Sequence, residues 1–133
     1  ALEDSTVTYS SDALRGTVYL MEFWAVWCGP CIGELPALEA AYARYRDRGF
    51  TILSLSFDGR PEDVTKFRAE GRHKMPWLHG FVSGGFRSRL ATTFQVLGIP
   101  KALLVGADGS IIATTGLRGD QLDSTLARVL GTR

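Results

Sequence analysis

Apolar residues fall along the chain in blocks whose rhythm changes, and each rhythm predicts an element. Residues 18–24 carry Val, Tyr, Leu, Met, Phe and Trp almost without interruption, with Glu22 as the one charge. Such a run predicts a strand buried on both faces, as in a parallel sheet. Leu35, Leu38, Tyr42 and Tyr45 then recur at spacings of three and four, one stripe of a helix over residues 32–45. Arg44, Arg46 and Arg48 suit the negative end of its dipole, and Gly49 stops it. Pro36, inside the pattern, predicts a kink. Residues 51–57 (TILSLSF) alternate as a second strand would, and Pro61-Glu62-Asp63 opens a short helix with Val64 and Phe67 inward, ending near Gly71. Strand, helix, strand, helix is the order of an α/β layered domain with parallel pairing.

The second half is less regular. Residues 73–85 show no clear period, and Gly84-Gly85 reads as a flexible joint; no Lys-Ser/Thr follows to make a phosphate loop. Phe86, Leu90 and Phe94 recur every four residues as a further helix. Gly98-Ile99-Pro100 is a turn before an apolar strand over 102–105. Ala107-Asp108-Gly109-Ser110 has hairpin chemistry, so residues 111–114 should return antiparallel. Asp120 is placed to cap a last helix with Leu122, Leu126 and Val129 on its inner face. Ahead of all this, residues 1–16 are polar and weakly patterned, with a turn or helix start at Ser10-Ser11-Asp12.

Composition narrows the class more than the fold. At 133 residues the chain reads as one domain, 1–133, large enough for a real core. Fifteen Lys and Arg against 14 Asp and Glu leave a formal charge of +1 with no basic tract, which argues against nucleic acid and anionic membrane surfaces as partners. No apolar run approaches the roughly 18 residues of a membrane span. The start, Ala1-Leu2-Glu3-Asp4, has neither Met nor a signal-peptide pattern and reads as a mature or trimmed chain, any export signal or anchor lying outside it.

The chemistry concentrates in Phe23-Trp24-Ala25-Val26-Trp27-Cys28-Gly29-Pro30-Cys31, which holds both cysteines. Two are too few for a disulfide-stapled scaffold or, alone, for a structural zinc site. A C-x-x-C between a strand and a helix is a thiol–disulfide redox pattern. Exchange needs an attacking thiolate and a second thiol near enough to resolve the mixed disulfide. Cys28 at the helix start meets unpaired N–H groups and the positive dipole end, which should lower its pKa from about 8.5 toward about 7 or below. Cys31, one turn in, would be the buried resolving thiol. Pro30 suits the first helical turn, where its missing N–H is no loss.

Glu22 cannot be buried cheaply unless protonated or hydrogen-bonded, and burial would raise its pKa and fit it to accept a proton from Cys31. The bland alternative is a strand-end carboxylate reaching solvent. Glu34 lies one turn beyond Cys31 on the same helix face, as a site acid or an ordinary exposed charge. Trp27 reads as an apolar docking surface beside Cys28 or as core, and Trp24 as core. His73 and His79 flank Met75 and Trp77, so a soft-metal reading would pair a histidine with the dithiol for Cu(I).

Trp27-Cys28-Gly29-Pro30-Cys31 resembles the signature of the thioredoxin superfamily. Glu22 six residues before Cys28, Pro36 five after Cys31 and Gly98-Ile99-Pro100 before a strand extend the match. The opening Phe-Trp-Ala-x-Trp-Cys, Glu34-Leu35-Pro36 and Leu14-Arg15-Gly16 are similar to the TlpA/ResA-like branch of thiol–disulfide oxidoreductases, over roughly residues 8–130. Three positions depart from it. Ile32 stands where Lys or Arg is common, Lys101 where a small polar residue is usual, and Ser54 near where bacterial thioredoxins carry a lysine partnering the buried acid.

The resemblance implies an α/β, three-layer α/β/α fold with a mixed central sheet, an N-terminal extension and an insertion before a cis-proline turn. It implies catalysis by Cys28, Cys31, Glu22 and Glu34, with Trp27, Gly29, Pro30, Ile99 and a cis Pro100 meeting substrate. No cofactor or resident metal is implied. The expected activity is reduction of partner-protein disulfides by an extracytoplasmic monomer, re-reduced by a membrane or soluble electron donor. A non-enzymatic copper-handling chaperone is the alternative. A peroxidase would need a Pro-rich, Thr-containing cysteine loop that the flanks of Cys28 do not offer, and an intact pair argues against a redox-silent module.

Overall fold

The computed structural model describes residues 14–131. The apolar run forms β1 (Tyr19–Trp24), buried at all six positions. α1 (Gly29–Tyr45) carries the chain across to β2 (Thr51–Ser56), which pairs parallel to β1 from Tyr19↔Thr51 to Trp24↔Ser56. α2 (Pro61–Glu70) leads to β3 (Leu78–Phe81), parallel to β2. β4 (Lys101–Val105) then pairs antiparallel on the other side of β1, and β5 (Ile111–Ala113) antiparallel to β4. The sheet is therefore mixed and five-stranded, in the order β3-β2-β1-β4-β5. α3 (Arg89–Thr93) and α4 (Gly119–Leu130) complete the elements.

Alternation along β1 and β2 splits the core in two. Leu20, Trp24 and Ile52 pack with Leu35, Leu38 and Tyr45 of α1, Val64 of α2, and Leu122 and Leu126 of α4. Met21, Phe23, Leu53 and Leu55 face the other way, against Leu14, Val82, Ala91 and Val96. Both faces are covered, which is why β1 reads as unbroken apolar sequence. α1 runs through Pro36 as one helix and is tied to α4 at its far end, where the Tyr45 hydroxyl donates to Asp123 Oδ1 at 3.1 Å and Arg44 pairs with Asp123 at 3.0 Å.

Three expectations are corrected. Residues 78–81, read as irregular, form β3; Gly80 and His79 disguise a short strand that exists because β2 offers it a ladder. The single helix expected through Phe86, Leu90 and Phe94 is a 3-10 turn (Gly85–Arg87) followed by α3. Ser88 divides them: its backbone is extended, and its Oγ accepts the Ala91 N–H at 3.0 Å to start a new helix. Finally, α4 is not capped by Asp120, which lies in its first turn; the N-cap is Arg118, whose own side chain makes no capping bond. The N-terminal extension and the turn at Ser10-Ser11-Asp12 lie outside the described residues.

Candidate active site

Parallel pairing brings the C-terminal ends of β1 and β2 to one edge of the sheet, and the chain leaving β1 there enters α1 through Ala25-Val26-Trp27. Cys28 is the N-cap of α1, and its Sγ accepts the Cys31 N–H at 3.2 Å. The two cysteines are joined by a disulfide with a Cα–Cα distance of 5.2 Å. Both are buried, Cys31 the more so, while Trp27 beside them is 62% exposed. Gly29 and Pro30, between the cysteines, are exposed in the first turn. After reduction, a Cys28 thiolate would stand where the helix offers N–H groups and the positive end of its dipole.

The loop facing this corner is Gly98-Ile99-Pro100. The Ile99–Pro100 peptide is cis. The Ile99 carbonyl oxygen lies 4.0 Å from Cys28 Sγ, and Pro100 borders a small cavity on whose wall Glu22 also lies.

Glu22 is 5% exposed and sits on the β1 face that α1 covers. Directly opposite on β2, Ser54 donates its hydroxyl hydrogen to Glu22 Oε2, and Trp77 Nε1–H donates to Ser54 Oγ at 2.8 Å. Burial pushes the Glu22 carboxyl up to about 7, against the opposing pull of the Ser54 hydrogen bond. The adjoining cavity is about 20 Å³, room for about one water, between Glu22, Glu34, Pro100 and Arg118.

Glu34 reaches that cavity, yet its oxygens are engaged elsewhere. Oε1 accepts the Gly119 N–H at 3.0 Å, and Oε2 lies 3.7 Å from Arg118 Nε. The first N–H of α4 is thus capped by a side chain from α1, which is why neither Asp120 nor Arg118 needs to do so.

Asp58 was missed in the sequence. It is 3% exposed, and both its oxygens accept the Val26 N–H, at 3.1 and 3.2 Å. Ser56 Oγ donates to Oδ2 at 2.6 Å, and the Asp58 N–H donates back to Ser56 Oγ at 3.0 Å. Burial raises its pKa, opposed by those hydrogen bonds from Ser56 and Val26. The result is a clamp on the strand-to-dithiol loop. A signal was present: Asp58 stands two residues past β2 and Val26 two past β1, and parallel strands in register place such positions side by side.

The histidines are not gathered with the sulfurs. His73 Nδ1 lies 3.2 Å from Glu39 Oε1. His79 donates Nε2–H to the Met75 carbonyl at 2.8 Å, and burial pushes its pKa down to about 4. Among the described residues no group of three or more His, Cys, Asp or Glu is placed to hold a metal ion, and no helix is long and apolar enough to cross a membrane.

A family model described as Redoxin matches residues 1–130. The chain is 38% identical over 78 residues to the thiol-disulfide oxidoreductase ResA of Oceanobacillus iheyensis, covering 59% of this chain and 40% of that protein. To the ResA of Bacillus thuringiensis subsp. konkukian it is 28% identical over 116 residues, 87% of this chain and 63% of that one. It therefore spans less than two thirds of the length of either. The crystal structure of the thioredoxin domain of a Bacteroides vulgatus thiol-disulfide oxidoreductase superposes with a TM-score of 0.82 at 31% identity, covering 90% of this chain and 84% of the other. The fold is thioredoxin-like.

Proposed function

The chain belongs to the Redoxin family, and from that premise we propose that it is a thiol–disulfide oxidoreductase that reduces disulfides of partner proteins. The observation that carries this reading is the Cys28–Cys31 disulfide at the N-terminus of α1, with exposed Trp27 beside it and the cis Ile99–Pro100 turn against it. In the reduced protein the Cys28 thiolate attacks one sulfur of a substrate disulfide. An S–S bond forms between protein and substrate, and the other substrate sulfur leaves as a thiolate. Cys31 then gives its proton to the Glu22 carboxylate and attacks Cys28 Sγ, closing the Cys28–Cys31 disulfide and releasing the second substrate thiolate. Two electrons pass from the dithiol to the substrate.

Trp27, Gly29 and Pro30 with Ile99 and Pro100 form the surface that meets an extended substrate segment, the turn lending backbone groups for strand-like pairing. Glu34 is carried as a second acid of the site by its place on the Glu22 cavity. Gly29-Pro30 and a buried acid support the reductive direction. By the resemblance to ResA-like proteins, the protein works outside the cytoplasm as a monomer and is re-reduced by a membrane or soluble dithiol donor. Turnover of a protein disulfide substrate with a dithiol donor tests the assignment. Cys28→Ser should abolish it, and Cys31→Ser should trap a mixed disulfide visible by non-reducing electrophoresis; full activity of Cys28→Ser would end this reading.

A further inference from the structure

Glu22 on β1, Ser54 on β2 and His79 on β3 stand side by side in register across the sheet. Ser54 is wholly buried, and its hydroxyl has one hydrogen to give. Trp77, at the entrance to β3, donates its indole Nε1–H to Ser54 Oγ at 2.8 Å. An indole N–H only donates, so Ser54 must accept at that contact, and its own hydrogen is left for Glu22 Oε2. The indole is itself held in place. It meets the Tyr42 ring edge-on at 5.5 Å and stacks on His79 at 6.3 Å and 11°, while His79 is tied to the Met75 carbonyl.

We propose that Trp77 is a positioning residue for the buried acid: by donating to one of the two acceptor sites of Ser54 Oγ, it orients the hydroxyl so that its hydrogen points at Glu22, which favours the carboxylate over the acid. Without the indole, the Ser54 hydroxyl is free to turn and accept a hydrogen from protonated Glu22, which stabilises the acid instead. The inference rests on the oxidoreductase reading only for the use to which that proton is put. The other charged groups near Glu22 are Glu34 from α1, Lys101 from β4 and Arg118 ahead of α4, all on the shared cavity, with Glu34 and Arg118 facing each other at 3.7 Å. His79, beyond Ser54, is neutral near pH 7. The remaining titrating pair is the dithiol, and oxidation removes it from the measurement.

The test is a carboxyl-carbon NMR titration of Glu22 in the oxidised protein. Ser54→Ala should raise the Glu22 midpoint by about one unit, the scale of a lost hydrogen bond to a charged group. Trp77→Phe should raise it by about half as much, and the double variant should match Ser54→Ala alone. In the unsubstituted protein the Trp77 Nε1–H resonance should move with the Glu22 midpoint, a reading that needs no variant to fold. The proposal is overturned by an indole resonance that stays flat through that titration, or by an unmoved midpoint in Trp77→Phe. An equal rise from Trp77→Phe in the Ser54→Ala background would overturn it too. No turnover enters these readings, so their failure leaves the Cys28 assay standing, and loss of that assay leaves them intact.

Discussion

Glu22 and Asp58 are both buried, and each takes a hydroxyl hydrogen from a serine of β2, Ser54 in one case and Ser56 in the other. Desolvation raises the pKa of both. They differ in what else reaches them. Asp58 also takes the Val26 N–H on both oxygens, so its carboxylate is held by backbone as well as side chain. Glu22 has the serine and a cavity large enough for about one water. A buried carboxylate with several fixed donors is a structural clamp, whereas one with a single donor and a water-sized space beside it can exchange its proton. The same strand supplies both settings two residues apart.

Substitution separates the two acids. Glu22→Gln keeps shape but removes the proton acceptor proposed for Cys31, so kcat/KM for protein disulfide reduction at pH 7 should fall by about a hundredfold or more; a wild-type rate would break the contrast. Stability should follow pH through the same group. Below about 4.5 Glu22 is protonated in both folded and unfolded chains and contributes nothing. As pH rises, the unfolded chain releases the proton first, and the folded chain keeps it until about 7. Stability of the oxidised protein should therefore decline across that window by about 3 kcal/mol and level off above it. Urea unfolding at a series of pH values checks this, and the Glu22→Gln curve should be flatter by that amount.

Asp58→Ala works in the opposite manner. It leaves the Val26 N–H and the Ser56 hydroxyl without their acceptor, so unfolding free energy should drop by about 2 kcal/mol. That loss should appear as a lower urea midpoint in oxidised and reduced protein alike. The smallest effect is expected at Glu34. Glu34→Ala uncaps α4 at Gly119 and should cost about 1 kcal/mol, while Glu34→Gln, which keeps an acceptor oxygen, should cost less in the same unfolding measurement.

Most of the sheet was legible because buried strands and amphipathic helices write their own periods. The 18–24 run and the Leu35-Leu38-Tyr45 stripe needed no partner to be read. What escaped depends on contacts distant in sequence. β3 is four residues long with a glycine inside, and its ladder is lent by β2. The cap of α4 is Glu34, 85 residues before Gly119, so local capping rules pointed to Asp120. Asp58 finds Val26 across 32 residues, and Trp77 finds Ser54 across 23. The cysteines and Glu22 stood out because their chemistry conflicts with their apolar surroundings. Asp58 follows its strand without such a conflict and so passed unremarked.

The reductive direction proposed for the Cys28–Cys31 pair is tested most directly by its equilibrium with a glutathione buffer. Equilibration across a range of reduced-to-oxidised glutathione ratios, read by thiol alkylation of Cys28 and Cys31, yields the reduction potential. A value near that of thioredoxin, about −270 mV, is expected. A value above roughly −180 mV, in the range of disulfide isomerases and oxidants, would contradict it.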